Sequence, residues 1–243
     1  MKEKLQAVKA YDIRGVVPQE VNAALAYQTG RAYVREFRPE GPVVVGRDVR
    51  LSSKELSEAL IQGLCEAGAD ACDIGLCGTE MVYYAAARPG MGGGIMVTAS
   101  HNPSEYNGMK LVRAGAVPVS GETGLSALEH RILAGDLGPM AATGGIPCQE
   151  DVTEGYVRKL LSFVDLDALR PLKLVVNAGN GCAGPILDAL AEHLPFEFVR
   201  LNHEPDGTFP NGVPNPLLEE NRPATAEAVR RHGADLGIAW DGD

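Results

Sequence analysis

The sequence lacks any apolar run long enough to cross a membrane, and it has no apolar core of a signal peptide near its start. Basic charge is also scarce, because 22 Lys and Arg stand against 32 Asp and Glu and give a net charge of −10. This balance disfavours a nucleic-acid partner, whose affinity depends on Lys and Arg contacts to phosphates. It does not exclude a phosphorylated small molecule as a ligand, because a few local basic residues can bind one.

The cysteines are odd in number and show no CxxC spacing: Cys65, Cys72, Cys77, Cys148 and Cys182. This pattern predicts reduced structural thiols and a cytoplasmic location. No internal repeat or low-complexity tract interrupts the 243 residues, of which 45% are hydrophobic and 22% charged. The length and composition are typical of a globular chain with one or two domains.

Strand-like and helix-like segments alternate along the chain, which predicts an α/β fold of layered sheets and helices. Ser52 or Ser53 is expected to cap the first of the predicted helices. In the first part of the chain, strands are predicted at 43–46, 71–76, 94–99 and 109–112, and helices at 54–67, 81–88 and 122–133.

A breaker-rich stretch without periodicity at 137–151 predicts a linker. We therefore expect two consecutive domains, 1–140 and 151–243. In the second, helices are predicted at 152–163, 185–193 and 224–232, and strands at 172–176, 196–201 and 234–240. The chain ends directly after the last of these strands, which predicts a fragment with a truncated second domain.

The segment Thr98-Ala99-Ser100-His101-Asn102-Pro103 follows a predicted buried strand. A serine on such a loop is held by a rigid scaffold and open to a ligand. Because a histidine follows it as a possible base, Ser100 is a candidate for covalent chemistry. These six residues alone fit a polar turn without chemistry equally well.

The longer segment TASHNPSEYNGMK resembles the active-site loop of the α-D-phosphohexomutases. The resemblance implies that Ser100 carries a phosphoryl group and that Lys110 is a general acid or base. It also places His101 and Asn102 in the active-site loop, with Asn102 expected to bind phosphate.

Arg14 lies in Tyr11-Asp12-Ile13-Arg14-Gly15, which is similar to the N-terminal motif of the same family. The resemblance implies that Arg14 binds phosphate oxygens near the phosphoserine, although a lone arginine is usually a solvated surface charge. A guanidinium suits this task because its donors form a planar fork. Arg47 also matches a family motif, but we expect it to bond to Asp48 or a loop carbonyl.

Asp241 and Asp243 flank a single glycine, and their oxygens suit a hard cation. Asp-Gly-Asp alone is more often a plain turn. In context it resembles the metal loop of the family, which continues with another Asp and an Arg. Because these two residues are missing here, the resemblance implies a Mg²⁺ site formed with Ser100 that is incomplete. The glycine-rich turn at 177–181 lacks the Gly-Lys-Ser/Thr of a P-loop, and a structural turn is favoured.

Gly78-Thr79-Glu80 is similar to the bacterial phosphomannomutase branch. The resemblance implies interconversion of mannose 6-phosphate and mannose 1-phosphate, for GDP-mannose supply, through a phosphoserine and a hexose 1,6-bisphosphate. A phosphoglucomutase or dual-specificity activity is the alternative within this class. A non-catalytic fragment that binds metal or a partner is the alternative outside it. The fragment alone is expected to have little or no mutase activity.

Overall fold

The computed structural model describes residues 4–243, so the start of the predicted first domain lies outside the described residues. Contacts divide the chain into two units. The first contains the described residues up to Ala99 together with Glu105–Asp151, and the second contains Ser100–Ser104 together with Val152–Asp243. The predicted boundaries at 140 and 151 stay a prediction. No helix within residues 4–243 is long and apolar enough to cross a membrane.

The first unit contains a mixed sheet of seven strands: β1 (Ile13–Val16), β2 (Val43–Arg47), β3 (Ala71–Leu76), β4 (Gly93–Val97), β5 (Tyr106–Arg113), β6 (Val117–Pro118) and β7 (Pro147–Gln149). The strand order is β1-β5-β4-β2-β3-β7, and β6 pairs with β5. Strands β4, β2, β3 and β7 are parallel, whereas β5 runs antiparallel to both of its main neighbours. The predicted pairing of the strand after Ser100 with the strand before it is confirmed.

Helices α1 (Ala23–Phe37), α2 (Ser53–Glu66), α3 (Thr79–Ala86) and α4 (Ser126–Ala134) complete the first unit. Leu56, Leu60 and Leu64 recur at every fourth residue of α2 and are buried in the core. Every residue of β4 is buried, as expected for a strand covered on both faces. This rigid strand leads directly into the segment that carries Ser100.

Several local predictions need correction. The predicted linker contains β7, whose Cys148 pairs with Cys72 of β3. The sequence did not reveal this strand because it is short and exposed and therefore has no hydrophobic periodicity. Ser52 precedes α2 but makes no side-chain capping bond, and Ser53 is the first helical residue. The segment predicted as one helix at 122–133 begins as an irregular turn at Gly121–Leu125 before α4 starts.

The second unit has a parallel three-stranded sheet in the order β10-β8-β9, where β8 is Lys173–Asn177, β9 is Glu197–Leu201 and β10 is Leu236–Ala239. Helices α5 (Thr153–Leu161), α6 (Ala183–Ala191) and α7 (Pro223–His232) accompany it. Parallel β8 and β10 end at the same edge of the sheet. The turn after β8 and the loop after β10 therefore meet at that edge, where ligands bind in many α/β proteins.

Candidate active site

Ser100 has an unusual backbone conformation for a residue with a side chain. Its φ is 52°, in the left-handed region, and it is only 7% exposed. This conformation is uncommon outside glycine, asparagine and aspartate, and it concentrates at functional sites. The buried strand β4 ends three residues earlier, so the serine sits at the end of a rigid element.

The side chain of Ser100 contacts a carboxylate and a histidine within the second unit. Ser100 Oγ donates to Asp241 Oδ2 at 2.7 Å, and it lies 3.3 Å from His101 Nδ1. His101 Nδ1 also lies 3.3 Å from the same Asp241 oxygen. The structure therefore brings three predicted site residues together, with an acceptor and an imidazole beside the serine oxygen.

The loop that holds Asp241 requires a glycine at its centre. A Cβ on Gly242 would lie 2.7 Å from the carbonyl oxygen of Ser100, which is too close for any side chain. Asp243 donates its backbone N–H to Asp241 Oδ1 at 3.2 Å, which closes a turn of the kind that aspartate favours. The glycine of Asp-Gly-Asp therefore permits close approach of this loop to the Ser100 backbone.

The turn after β8 packs against the Asp241 loop. Gly181 approaches the carbonyl oxygens of Asp241 and Gly242 so closely that a Cβ would lie 3.0 Å from each. Cys182 donates its backbone N–H to the carbonyl oxygen of Gly242 at 3.4 Å, and Trp240 donates to Asn177 O at 3.0 Å. These contacts agree with the structural role predicted for this turn.

The donor set at this edge consists of hard oxygen atoms. Ser100 Oγ and Asp241 Oδ2 are already neighbours, and Asp243 belongs to the same short loop. Within residues 4–243, no group of three or more His, Cys, Asp or Glu side chains is arranged to hold a metal by itself. One or two carboxylates with a further ligand from substrate or phosphate is the set that Mg²⁺ commonly uses, since it keeps several waters. The residues present would supply part of the ligand set of such a cation.

Two other predicted residues, Arg14 and Lys110, belong to the first unit, whereas Asn102 belongs to the second. Arg14 lies on β1 and pairs with Asp12 at 2.6 Å, with its side chain only 15% exposed, so it is not a solvated surface charge. Lys110 lies on β5, and its Nζ donates to Thr79 Oγ1 at 3.3 Å. Asn102 is half-buried in the loop after Ser100. Their predicted roles stay predictions.

The expected partner of Arg47 was wrong. Arg47 Nη1 lies 3.5 Å from Asp73 Oδ1, whereas Asp48 pairs with Arg50 at 3.2 Å. Both side chains of the Asp48–Arg50 pair are buried, and this burial raises the pKa of Asp48 above its usual range. The sequence pointed to Asp48 only as a bonding partner for Arg47, since nothing in an Asp at a strand end signals that it is buried.

The class that the fold defines is an α/β protein of two units, with a serine in the left-handed backbone region just after a buried strand. The sequence matches two family descriptions: "Phosphoglucomutase/phosphomannomutase, alpha/beta/alpha domain I" over residues 5–137 and the corresponding domain II over residues 154–243. The chain belongs to the phosphoglucomutase/phosphomannomutase family. The resemblance inferred from the sequence is thereby confirmed, as is the α/β fold class with two consecutive domains.

Individual relatives agree with this assignment. The chain is 58% identical to the phosphohexose mutases of Xanthomonas campestris, over 98% of its own length and 53% of theirs. It is 51% identical to a phosphomannomutase of Salmonella typhimurium, over 99% of its length and 54% of that protein. A family member from Burkholderia thailandensis shares the fold with a TM-score of 0.87 at 39% identity, over 97% of this chain and 52% of that one. The chain thus spans about half the length of the relatives it matches.

Proposed function

We propose that this chain supplies the phosphoserine domain pair of a phosphohexomutase that interconverts mannose 6-phosphate and mannose 1-phosphate. The observation that carries the proposal is the left-handed Ser100 with its Oγ bonded to Asp241 at 2.7 Å. The family membership of both domains and the identity to a named phosphomannomutase support the reaction class and the sugar.

The proposed reaction moves a phosphoryl group between Ser100 and a hexose monophosphate. The bond between phosphorus and Ser100 Oγ breaks while a bond forms between phosphorus and a sugar hydroxyl oxygen. That hydroxyl releases its proton to a base, for which Lys110 is the candidate. The departing serine oxygen takes up a proton, and His101 is within reach because its Nδ1 lies 3.3 Å away. The bisphosphate then returns its other phosphoryl group to Ser100.

The remaining predicted residues are proposed to bind phosphate groups or a metal ion. Arg14 and Asn102 are proposed to orient phosphate oxygens, for which Arg14 offers a planar fork of donors. Ser100, Asp241 and Asp243 are the residues that would hold Mg²⁺, which supplies charge neutralisation during phosphoryl transfer when bound. Positioning and electrostatics of this kind account for most of the catalysis of such reactions.

A dual mannose and glucose specificity is the second candidate. The observation that favours it is the broader name of the relatives from Xanthomonas campestris, which are called phosphohexose mutases and share 58% identity. The proposed substrates in either case are a hexose phosphate and a hexose 1,6-bisphosphate. We further propose a cytoplasmic location, because all five cysteines are free thiols.

The test is the intact mass of the chain after incubation with glucose 1,6-bisphosphate or mannose 1,6-bisphosphate and Mg²⁺, followed by peptide mapping. We expect one added phosphoryl group, located on Ser100. Ser100→Ala is expected to abolish the mass increase. Ser104→Ala is the matched control, since Ser104 is an exposed serine of the same loop and should leave the increase intact.

Phosphate on Ser104 or on another residue would contradict the assignment of the nucleophile. Absence of any uptake by this chain, together with uptake at another residue in a longer family chain that includes this sequence, would also reject it. Relative rates with the two bisphosphates distinguish the mannose-specific reaction from the dual one. Multiple turnover by this chain alone would refute our expectation that it is inactive as a mutase.

A further inference from the structure

A buried aspartate of the first unit accepts hydrogen bonds from several elements at once. Asp48 is 2% exposed and follows β2. Its Oδ2 accepts from Thr98 Oγ1 at 2.8 Å and lies 3.2 Å from Arg50 Nε. Its Oδ1 accepts from the backbone N–H of Arg50 at 3.0 Å and from the hydroxyl of Ser53. Every one of these partners is a donor, so the site is built for a carboxylate.

A second set of hydrogen bonds extends this network to β5, the strand that follows the Ser100 loop. Asn107 is fully buried on β5, and its Nδ2 donates to Ser52 Oγ at 2.8 Å and to Ser53 Oγ at 2.9 Å. The hydroxyl of Ser53 accepts from Asn107 and donates to Asp48, so it acts as a relay. Arg50 Nη1 adds a bond to the carbonyl oxygen of Tyr106 at 3.0 Å.

Thr98 lies just before the segment that carries Ser100, and Asn107 lies just after it. These two flanking positions are called its stems below. Thr98 precedes the serine by two residues, and its backbone N–H donates to Gly108 O at 3.0 Å, which pairs the stems. Direct bonding to Thr98 and relayed bonding to Asn107 therefore fix both stems to one carboxylate. Buried hydrogen bonds restrict the groups that they join, and the side chains of Asp48, Ser53, Thr98 and Asn107 all take part in them.

We propose that Asp48 is a positioning residue for Ser100, acting through Thr98 on one stem and through Ser53 and Asn107 on the other. This inference rests on the proposed function, because the quantity that Asp48 controls is the placement of the phosphoryl-accepting oxygen. Asp48 itself touches no reacting atom. Small errors in placement matter for such a group, since a shift of about 1 Å can cost about 100-fold in rate.

The experiment compares Thr98→Val, Thr98→Ser and Asp48→Asn in the full chain. Valine keeps the shape of threonine but removes the hydroxyl, whereas serine keeps the hydroxyl. Thr29→Val is the matched control, because Thr29 is equally buried in the first unit and its hydroxyl donates within α1, to Leu25 O at 2.8 Å. The readouts are the initial rate of Ser100 phosphorylation by glucose 1,6-bisphosphate and amide hydrogen exchange in the peptide 98–108.

We expect Thr98→Val and Asp48→Asn to slow phosphorylation at least about 10-fold and to speed exchange in the peptide 98–108. Thr98→Ser should remain within about 3-fold of the unaltered chain, because the donor to Asp48 is retained. Thr29→Val should also lower stability, because it removes a buried hydrogen bond, yet it should leave both readouts unchanged. That contrast separates positioning from a general loss of stability.

Equal phosphorylation rates and equal exchange in Thr98→Val and the unaltered chain would overturn the positioning role. Equal slowing by Thr29→Val would overturn it as well, since the effect would then follow stability alone. If the unaltered chain takes up no phosphoryl group at all, the proposed function fails separately. Hydrogen exchange in the peptide 98–108 then still decides whether Asp48 orders the loop.

Discussion

Ser100 Oγ donates a hydrogen bond to Asp241 Oδ2 at 2.7 Å, although the two residues lie 141 positions apart in the sequence. This bond needs the hydroxyl proton, which a phosphorylated serine no longer has. Phosphorylation would therefore replace an attraction by a repulsion between the phosphate and the Asp241 carboxylate. A divalent cation between the two groups would convert this repulsion back into an attraction.

We accordingly expect Mg²⁺ to bind at least about 10-fold more tightly when Ser100 is phosphorylated, since about 1.4 kcal/mol corresponds to a factor of ten. Calorimetric titration of Mg²⁺ into chains with serine or translationally incorporated phosphoserine at position 100 measures this. Asp241→Asn should remove most of the difference. Asp188→Asn is the control, because its carboxylate is engaged by His203 and Arg200 in the same unit. Equal affinities in both phosphorylation states would contradict the prediction.

Gly242→Ala should impair phosphoryl uptake by Ser100 more than it impairs folding. The added Cβ would lie 2.7 Å from the Ser100 carbonyl oxygen, so the Asp241 loop must shift. Gly242 is buried and Asp241 and Asp243 are half-buried, but the loop lies beyond the end of β10, so we expect its rearrangement to cost less stability than the same clash inside the core. We expect uptake to fall at least about 10-fold, on the same placement argument. Gly121→Ala is the control, since its Cβ would meet nothing closer than 3.5 Å. Unchanged uptake in Gly242→Ala would show that close approach at this point is unimportant.

Gly63→Ala should destabilise the first unit even though alanine is the better helix former. Alanine would gain about 1 kcal/mol from helix propensity. However, the Cβ would lie 2.1 Å from the carbonyl oxygen of Tyr27, where α1 and α2 cross. Overpacking of this kind costs about 1–3 kcal/mol or more, and here the obstacle is backbone. Urea unfolding should therefore show a net loss of stability. A gain would mean that the helices can separate without penalty.

Periodic and motif-bearing segments were predictable from the sequence, whereas contacts between distant segments were not. The spacing of Leu56, Leu60 and Leu64 predicted α2, and the apolar run before Thr98 predicted β4. These signals are local, because each element repeats its own pattern. The pairing of β7 with β3 depends on a partner far away in the sequence, so the sequence around this short exposed strand predicts only a linker.

In the candidate site, too, residues in motifs were predictable from the sequence, whereas contacts between distant segments were not. The residues Ser100, His101 and Asp241 were identified from the sequence through the family resemblance, and the structure brings them together. The role of Asp48 could not be found this way. Its importance lies in burial and in donors from Thr98 and Ser53, which only the folded chain brings to one point. Helix α1 and strand β1 also went unpredicted, although β1 contains the motif around Arg14.

The ion pair between Arg88 and Glu150 should give the first unit a pH-dependent stability. Arg88 Nη2 donates to Glu150 Oε2 at 2.7 Å, and Nη1 donates to the other carboxylate oxygen. The hydrogen bonds from Arg88 hold the pKa of Glu150 below its usual range, which outweighs the opposing effect of burial. A carboxylate with a lowered pKa in the folded state stabilises the protein above its unfolded pKa of about 4.3. This contribution is lost as the pH falls through the lowered value.

We therefore expect Glu150→Gln to reduce the free energy of unfolding at pH 7 and to have progressively less effect as the pH falls below about 4. The Glu150 side chain is 38% exposed, so solvent screening limits the loss at pH 7 to about 1 kcal/mol. Urea unfolding at pH 7, 5 and 3.5 measures the difference between variant and parent. Glu154→Gln is the control, because its pair with Arg158 lies within one helix and is more exposed, and its effect should be smaller at pH 7. A difference for Glu150→Gln that grows as the pH falls would reverse the sign of this argument.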